Sequence, residues 1–226
     1  MRNDILGFLN QLAENNHKNW LDTNKEWYLE IKAYFLDVAG QILKELVEIE
    51  PSFAALSPKD CVFRQNRDVR FSPNKNPYKN NMAAYFAEGG KKSEAPGYYL
   101  HIQPGASFVG GGIYSPGSEV LKRIRQEIDY SGEKLETILN QNEFLEHMGP
   151  LEGERLKTSP RNYNPEHPYI NLLKMKSFTV SRPLSDADIL SGDFLIKTRE
   201  SFQTIKPFND FLSQAIDGSE SGLDLL

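Results

Sequence analysis

Apolar side chains recur every three to four residues over the first fifty positions. That spacing predicts helices, because residues three and four apart share one helix face. Ile5, Phe8, Leu9 and Leu12 follow Asp4, a residue suited to cap a helix start, and Asn15-Asn16 ends the segment. Asn19 or Thr23 can cap the next helix, and Thr23 has Glu26 at capping-box spacing. Trp27, Ile31, Phe35, Val38, Ile42 and Leu46 then form a stripe that runs to Pro51. Trp20, Tyr28 and Tyr34 join Trp27 and Phe35 at helical spacing, which places these aromatics in a core.

The period then shortens to two. From Cys61 to Phe71, Cys61, Phe63, Val69 and Phe71 fall on one parity and Arg64, Asn66, Asp68 and Arg70 on the other, predicting a strand. Met82 to Phe86 fits a strand or a short helix. Residues 97–103 and 106–114 read as strands joined across Pro104-Gly105, and so tight a connection makes them antiparallel. Ser118 opens a helix carrying Val120, Leu121, Ile124 and Ile128, and a second helix is expected from Gly132 to Asn140, with a short turn near Phe144. Three prolines in 158–168 predict an irregular loop. Lys176 to Arg182 reads as a strand, Ser185 and Asp188 as a cap pair, and 186–215 as helical with a break near Pro207. Strands grouped in the middle with helices at both ends predict an α+β fold: a central, mainly antiparallel sheet from about residues 60–115 and 176–182, packed with the terminal helices. A single domain over 1–216 and a polar tail over 217–226 are expected.

Composition changes this picture little. The 226 residues include 39% hydrophobic and 25% charged side chains, an ordinary globular balance. The one cysteine, Cys61, allows no internal disulfide. No apolar run reaches the length of a membrane span, and the N-terminus lacks the apolar core of a signal peptide, so a cytoplasmic protein with no membrane partner is expected.

Charge changes it more. The chain is acidic, at −5, which counts against nucleic acid as a partner. Yet residues 57–82 carry Lys59, Arg64, Arg67, Arg70, Lys75 and Lys79 against Asp60 and Asp68. Residues 154–182 carry Arg155, Lys157, Arg161, Lys174, Lys176 and Arg182 against Glu154 and Glu166. Guanidinium forks suit carboxylate or phosphate. The segment Arg64 to Lys79, with its prolines and asparagines, is therefore a candidate anion site, built from Arg64, Arg67, Asp68, Arg70, Lys75 and Lys79. Arg161 or Arg182 could join from the second basic segment. Against this, Asp68 could pair with Arg67 or Arg70 and the cluster be structural.

Gly110-Gly111-Gly112 interrupts a strand pattern. The triplet marks a bulge or a place where a ligand or another backbone comes close. It is neither a Walker loop nor a dinucleotide fingerprint. His17, His101, His147 and His167 make no metal-binding spacing, so no metal and no cofactor are implied. His101 and Tyr78 are the candidates for proton transfer.

Five blocks taken in order carry a family resemblance: NNHKNWLDTNKEWY (15–28), RDVRFSPNKNPYKNNMAAYF (67–86), GYYLHIQPGASFVGGGIYSP (97–116), LKTSPRNYNPEHPYINLLKMKSFTVSRPL (156–184) and the C-terminal helices. The chain resembles the DUF 2461 family over nearly its whole length. The resemblance implies one soluble domain and supplies no activity, cofactor or site residue. Three readings stay open: a pocket for an anionic small molecule, with or without catalysis; a module that binds protein or nucleic acid through the basic patch; and a scaffold whose ion pairs are structural. The protein partner, if any, is not named by the sequence.

Overall fold

The computed structural model describes residues 4–151 and 153–218, and the tail expected from 217 lies, beyond Gly218, outside them. The fold is α+β, with a four-stranded antiparallel sheet of order β1-β2-β3-β4. The strands are β1 (Met82–Phe86), β2 (Gly97–Ile102), β3 (Ser107–Ile113) and β4 (Phe178–Leu184). β2 and β3 are joined across Pro104-Gly105, where Gly105 takes φ +69°. The chain divides into two compact units, and both draw on the strands.

The first unit comprises residues up to 91, 99–109 and 183–199. Its helices are α1 (Ile5–Glu14), α2 (Lys18–Thr23), α3 (Lys25–Ile49), α4 (Pro58–Cys61) and α8 (Asp186–Leu190), with a 3-10 turn at Pro51–Ala55. Asp4 caps α1 by accepting the Gly7 amide at 2.9 Å. α1 buries Ile5, Phe8, Leu9 and Leu12, and α3 buries Ile31, Phe35, Val38, Ile42 and Leu46 on the predicted stripe. Trp20, Trp27 and Tyr28 are half-buried around the Phe8 ring, at centroid distances of 6.0, 5.2 and 6.0 Å.

Two expectations fail in this unit. α3 starts at Lys25, without a Thr23–Glu26 box, because Thr23 still belongs to α2 and its hydroxyl donates to the Asn19 carbonyl at 3.0 Å. His17, not Asn19, caps α2, its Nδ1 accepting the Trp20 amide at 3.2 Å. The strand predicted over 61–71 is also not regular. Pro58 and a Ser57–Asp60 capping box make Cys61 the end of a helix, and only isolated bridges follow it. Cys61 is fully buried, and its thiol is pushed up to about 11, chiefly by that burial.

The second unit comprises 92–98, 110–182 and the described residues from 200. The segment Ser118–Leu139 (α5) is interrupted at Ser131, whose φ −127° and ψ 27° are not helical, so two helical stretches meet there and the second runs from Gly132 as expected; α6 (Asn142–Met148) and α7 (Ile170–Leu173) follow. α9 (Phe194–Asp217) runs straight through Pro207, so no break falls there. A proline inside a helix removes one hydrogen bond. Here Ile205, Phe208, Phe211 and Leu212, each at most 1% exposed, hold the helix through it. The chain breaks instead at Ser191, which is extended after α8.

The glycine triplet in this unit is a packing device. A Cβ on Gly110 would stand 2.5 Å from the Val180 carbonyl oxygen, and one on Gly111 2.5 Å from Ile205 of α9. Gly112 takes φ +104°, and its Cβ would lie 2.0 Å from the Phe178 carbonyl oxygen. What approaches the triplet is the chain's own backbone and helix.

Candidate functional site

Residues 62–67 and 77–84 of the first unit pair antiparallel. Val62 bridges Ala84 and Asn66 bridges Tyr78. The Phe63 amide donates to Ala83 at 3.0 Å, that of Lys79 to Gln65 at 2.9 Å and that of Arg67 to Pro77 at 2.8 Å. The buried Gln65 side chain reinforces this stem: its amide donates to the carbonyls of Lys79 and, at 3.1 Å, Asn81. Asn16 reaches the other side of the stem from the turn after α1. Its side chain accepts the Tyr78 amide and donates to the Tyr78 carbonyl, both at 3.0 Å, as a strand neighbour would.

The loop that leaves the stem is tied by its own cations. Arg67 donates through Nη1 to the Asn76 carbonyl at 3.0 Å and through Nη2 to Ser72 Oγ at 3.3 Å. Lys75 donates to the Val69 carbonyl at 3.0 Å, and Asn74 Oδ1 accepts the Asn76 amide at 2.9 Å. Arg70 grips Asp68 through two side-chain bonds of 3.0 and 2.7 Å, which hold the Asp68 carboxyl below its ordinary range. Both partners are exposed, so the pair adds little stability.

Under this loop lies a cavity of about 290 Å³ lined by Ala13, Asn16, Arg67, Asn74, Asn76, Tyr78, Lys79, Asn80 and Asn81. Five asparagines offer donors and acceptors together. Arg67 and Lys79 supply the charge, and no carboxylate stands among the lining residues. Arg67 spends two of its N–H donors on the loop, and a guanidinium has five.

A second group sits on the sheet of the same unit. Along β2, Tyr98, Leu100 and Ile102 are 0, 0 and 1% exposed. Alternation therefore turns Tyr99 and His101 to the opposite face, where both are half-buried. His101 stacks on Phe108 of β3 at 4.8 Å, and Tyr99 lies 5.5 Å from Phe108 and 6.4 Å from Phe63. The Lys79 ammonium stands 5.1 Å from the Phe63 ring centroid. His101 Nε2 lies 3.1 Å from Gln103 Oε1, an atom that only accepts, so Nε2 carries the proton. Nδ1 then accepts the Tyr99 hydroxyl at 3.3 Å.

Burial holds the His101 imidazole below its ordinary value; Gln103 opposes this and the Lys79 charge adds to it. As pH falls below about 6.5 the unfolded chain takes up a proton that folded His101 resists, so stability declines on that side and is complete above it. His101→Gln is expected to flatten this acid limb. Its urea midpoints at about pH 7.5 and about pH 5.5 should lie closer together than those of the parent. A parallel decline in both proteins would show that His101 does not shape the limb.

The proposed cations thus separate. Arg67 and Lys79 line the cavity, Lys75 and the Asp68–Arg70 pair serve the loop, and Arg64 is exposed with no carboxylate partner among the described residues. Tyr78 and His101 are not joined: Tyr78 is buried with its backbone on Asn16, whereas His101 is bonded to Tyr99 and Gln103. Arg161 and Arg182 belong to the second unit, where Arg161 is exposed and Arg182 donates to Ser201 Oγ at 3.2 Å. Asn16, Asn81, Gln65, Phe63, Tyr99 and Phe108 were not among the sequence candidates. The local signals for the cavity were the charges of Arg67 and Lys79 and the run of asparagines over 74–81. Among the described residues no group of three or more His, Cys, Asp or Glu could hold a metal ion, and no helix is long and apolar enough to cross a membrane.

The sequence model of one protein family, described as "Conserved hypothetical protein (DUF2461)", matches residues 4–211. No curated protein and no solved structure matches the chain.

Proposed function

The chain belongs to the DUF2461 family, whose description names no reaction, and we propose that it binds a small anionic molecule in the asparagine-lined cavity around Arg67. The observation that carries this reading is the charge of the lining: two cations, five amides and no acid. A buried or half-buried cation without a counter-charge is costly, and an anionic ligand removes that cost. The Arg67 fork, with donors to spare, suits a phosphate or carboxylate bidentately. Asparagine amides donate and accept at once, which matches hydroxyl groups on the same ligand. At about 290 Å³ the space is at the small end of ligand pockets. The class that fits is a small hydroxylated anion such as a sugar phosphate or hydroxy acid. The lining holds no histidine, carboxylate or cysteine, so the reading is one of binding.

Isothermal titration with inorganic phosphate, a hexose phosphate and a hydroxycarboxylate tests it. At least one should bind, and Arg67→Ala should weaken it by about tenfold or more. Arg70→Ala, whose guanidinium is held by Asp68 outside the lining, should bind as the parent does. Absence of binding at about 10 mM for all three, or equal affinity in Arg67→Ala, overturns the reading.

A further inference from the structure

We propose that the sheet face bearing Tyr99, His101 and Phe108 is a second binding surface, for a mononucleotide, whose base lies on these rings and whose phosphate meets Lys79 and Arg64. It goes beyond the loop cavity and stands on different residues, apart from Lys79.

Four half-buried rings share this side of the first unit, linked at centroid distances of 4.8 to 6.4 Å. Half-exposed aromatic rings on a sheet are a stacking platform for flat ligands, because every base presents a π-face. The cations are at one end only. Lys79 sits against Phe63, and Arg64, next in the chain, is exposed and lies near enough to act on the Lys79 charge. Among the described residues no carboxylate forms an ion pair with either; Asp68, held by Arg70, lies near enough to feel the Arg64 charge. A ligand that uses both ends carries its anionic group one ring away from its own ring, across the 6.4 Å between Phe63 and Tyr99. A carboxylate fixed directly to a benzene ring sits too close to that ring. In a nucleoside monophosphate the ribose supplies the separation. At the ring end, the Gln103 amide, fixed through its oxygen on His101, leaves its NH2 group to meet the polar edge of a base.

The imidazole NMR signals of His101 report on this face alone. Adenosine monophosphate should shift them saturably. Adenosine, without the phosphate, and ribose 5-phosphate, without the base, should need about tenfold higher concentration or more. Arg64→Ala, an exposed change that leaves the stem hydrogen bonds intact, should weaken adenosine monophosphate while leaving adenosine unaffected. Arg67→Ala should not alter the adenosine monophosphate response, which separates this surface from the cavity. No shift with adenosine monophosphate at about 10 mM, an equal response to ribose 5-phosphate, or loss of the response in Arg67→Ala instead of Arg64→Ala would each overturn the proposal.

Discussion

Gly112→Ala is expected to destabilise the protein by about 4 kcal/mol, the largest effect of any single methyl added to this chain. Two costs combine. An alanine at φ +104° is strained in itself. Its methyl would also stand 2.0 Å from the Phe178 carbonyl oxygen and 2.9 Å from the Phe208 ring. Phe178 is a fully buried residue of β4, and its backbone cannot retreat without breaking the strand. At roughly 2–4 °C per kcal/mol for a chain of this length, thermal unfolding should move down by roughly 8–16 °C. Gly105→Ala is the internal control. Its φ is +69°, yet nothing lies within 4 Å of the added methyl, so it bears the conformational cost alone, about 1 kcal/mol. Circular dichroism melts of both variants separate the two costs. If Gly112→Ala melts with Gly105→Ala, the close approach of Phe178 carries no weight.

Asn16→Ala should cost about 2 kcal/mol, and it should also remove anion binding. The side chain satisfies both polar groups of the Tyr78 backbone, at 3.0 Å each, in a half-buried place. Truncation leaves a donor and an acceptor unpaired, the expensive direction in which to lose a hydrogen bond. It also releases the wall of the cavity that Tyr78 and Lys79 form. Asn16→Asp sharpens the test. A carboxylate still accepts the Tyr78 amide but meets the Tyr78 carbonyl oxygen with another acceptor, so it should lie between parent and alanine in urea unfolding. Undiminished phosphate or hexose phosphate binding by Asn16→Ala would show that the cavity does not need this clamp.

The elements legible in the sequence are those specified locally. Asp4, the α3 stripe, the Pro104-Gly105 turn and the Ser185–Asp188 capping box each act within a few residues, and each stands where its spacing put it. Pro207 was misread because its local cost is real but is outweighed by the apolar burial of the turns around it. The alternation over 61–71 was misread because a capping box claimed Cys61 and the pairing stops at Arg67. The candidate site was half legible. Charge density singled out Arg64 to Lys79, but its six candidate residues have three different duties, and only the folded contacts assign them. Nothing near Asn16 signals that its partner is Tyr78. Nothing near Lys79 signals that its ammonium stands against Phe63 while His101 lies beyond. Three consecutive glycines were visibly unusual; that they admit Val180, Ile205 and Phe178 needed the fold.

The clamp between Asn16 and Tyr78 spans 62 positions of the chain, and this sets an order of events during synthesis. α1, α2 and α3 gather around Phe8 through contacts between neighbours in sequence, which form early and fast. Asn16 has no partner until the ribosome has released the stem at 77–84, and closing so long a segment is paid for in chain entropy before any contact rewards it. The cavity beneath the loop therefore forms after the helical layer, in one step with the stem. On the proposed reading, an anion would not template the N-terminal helices; it would act by mass action on the closed stem, drawing the last stage of folding forward.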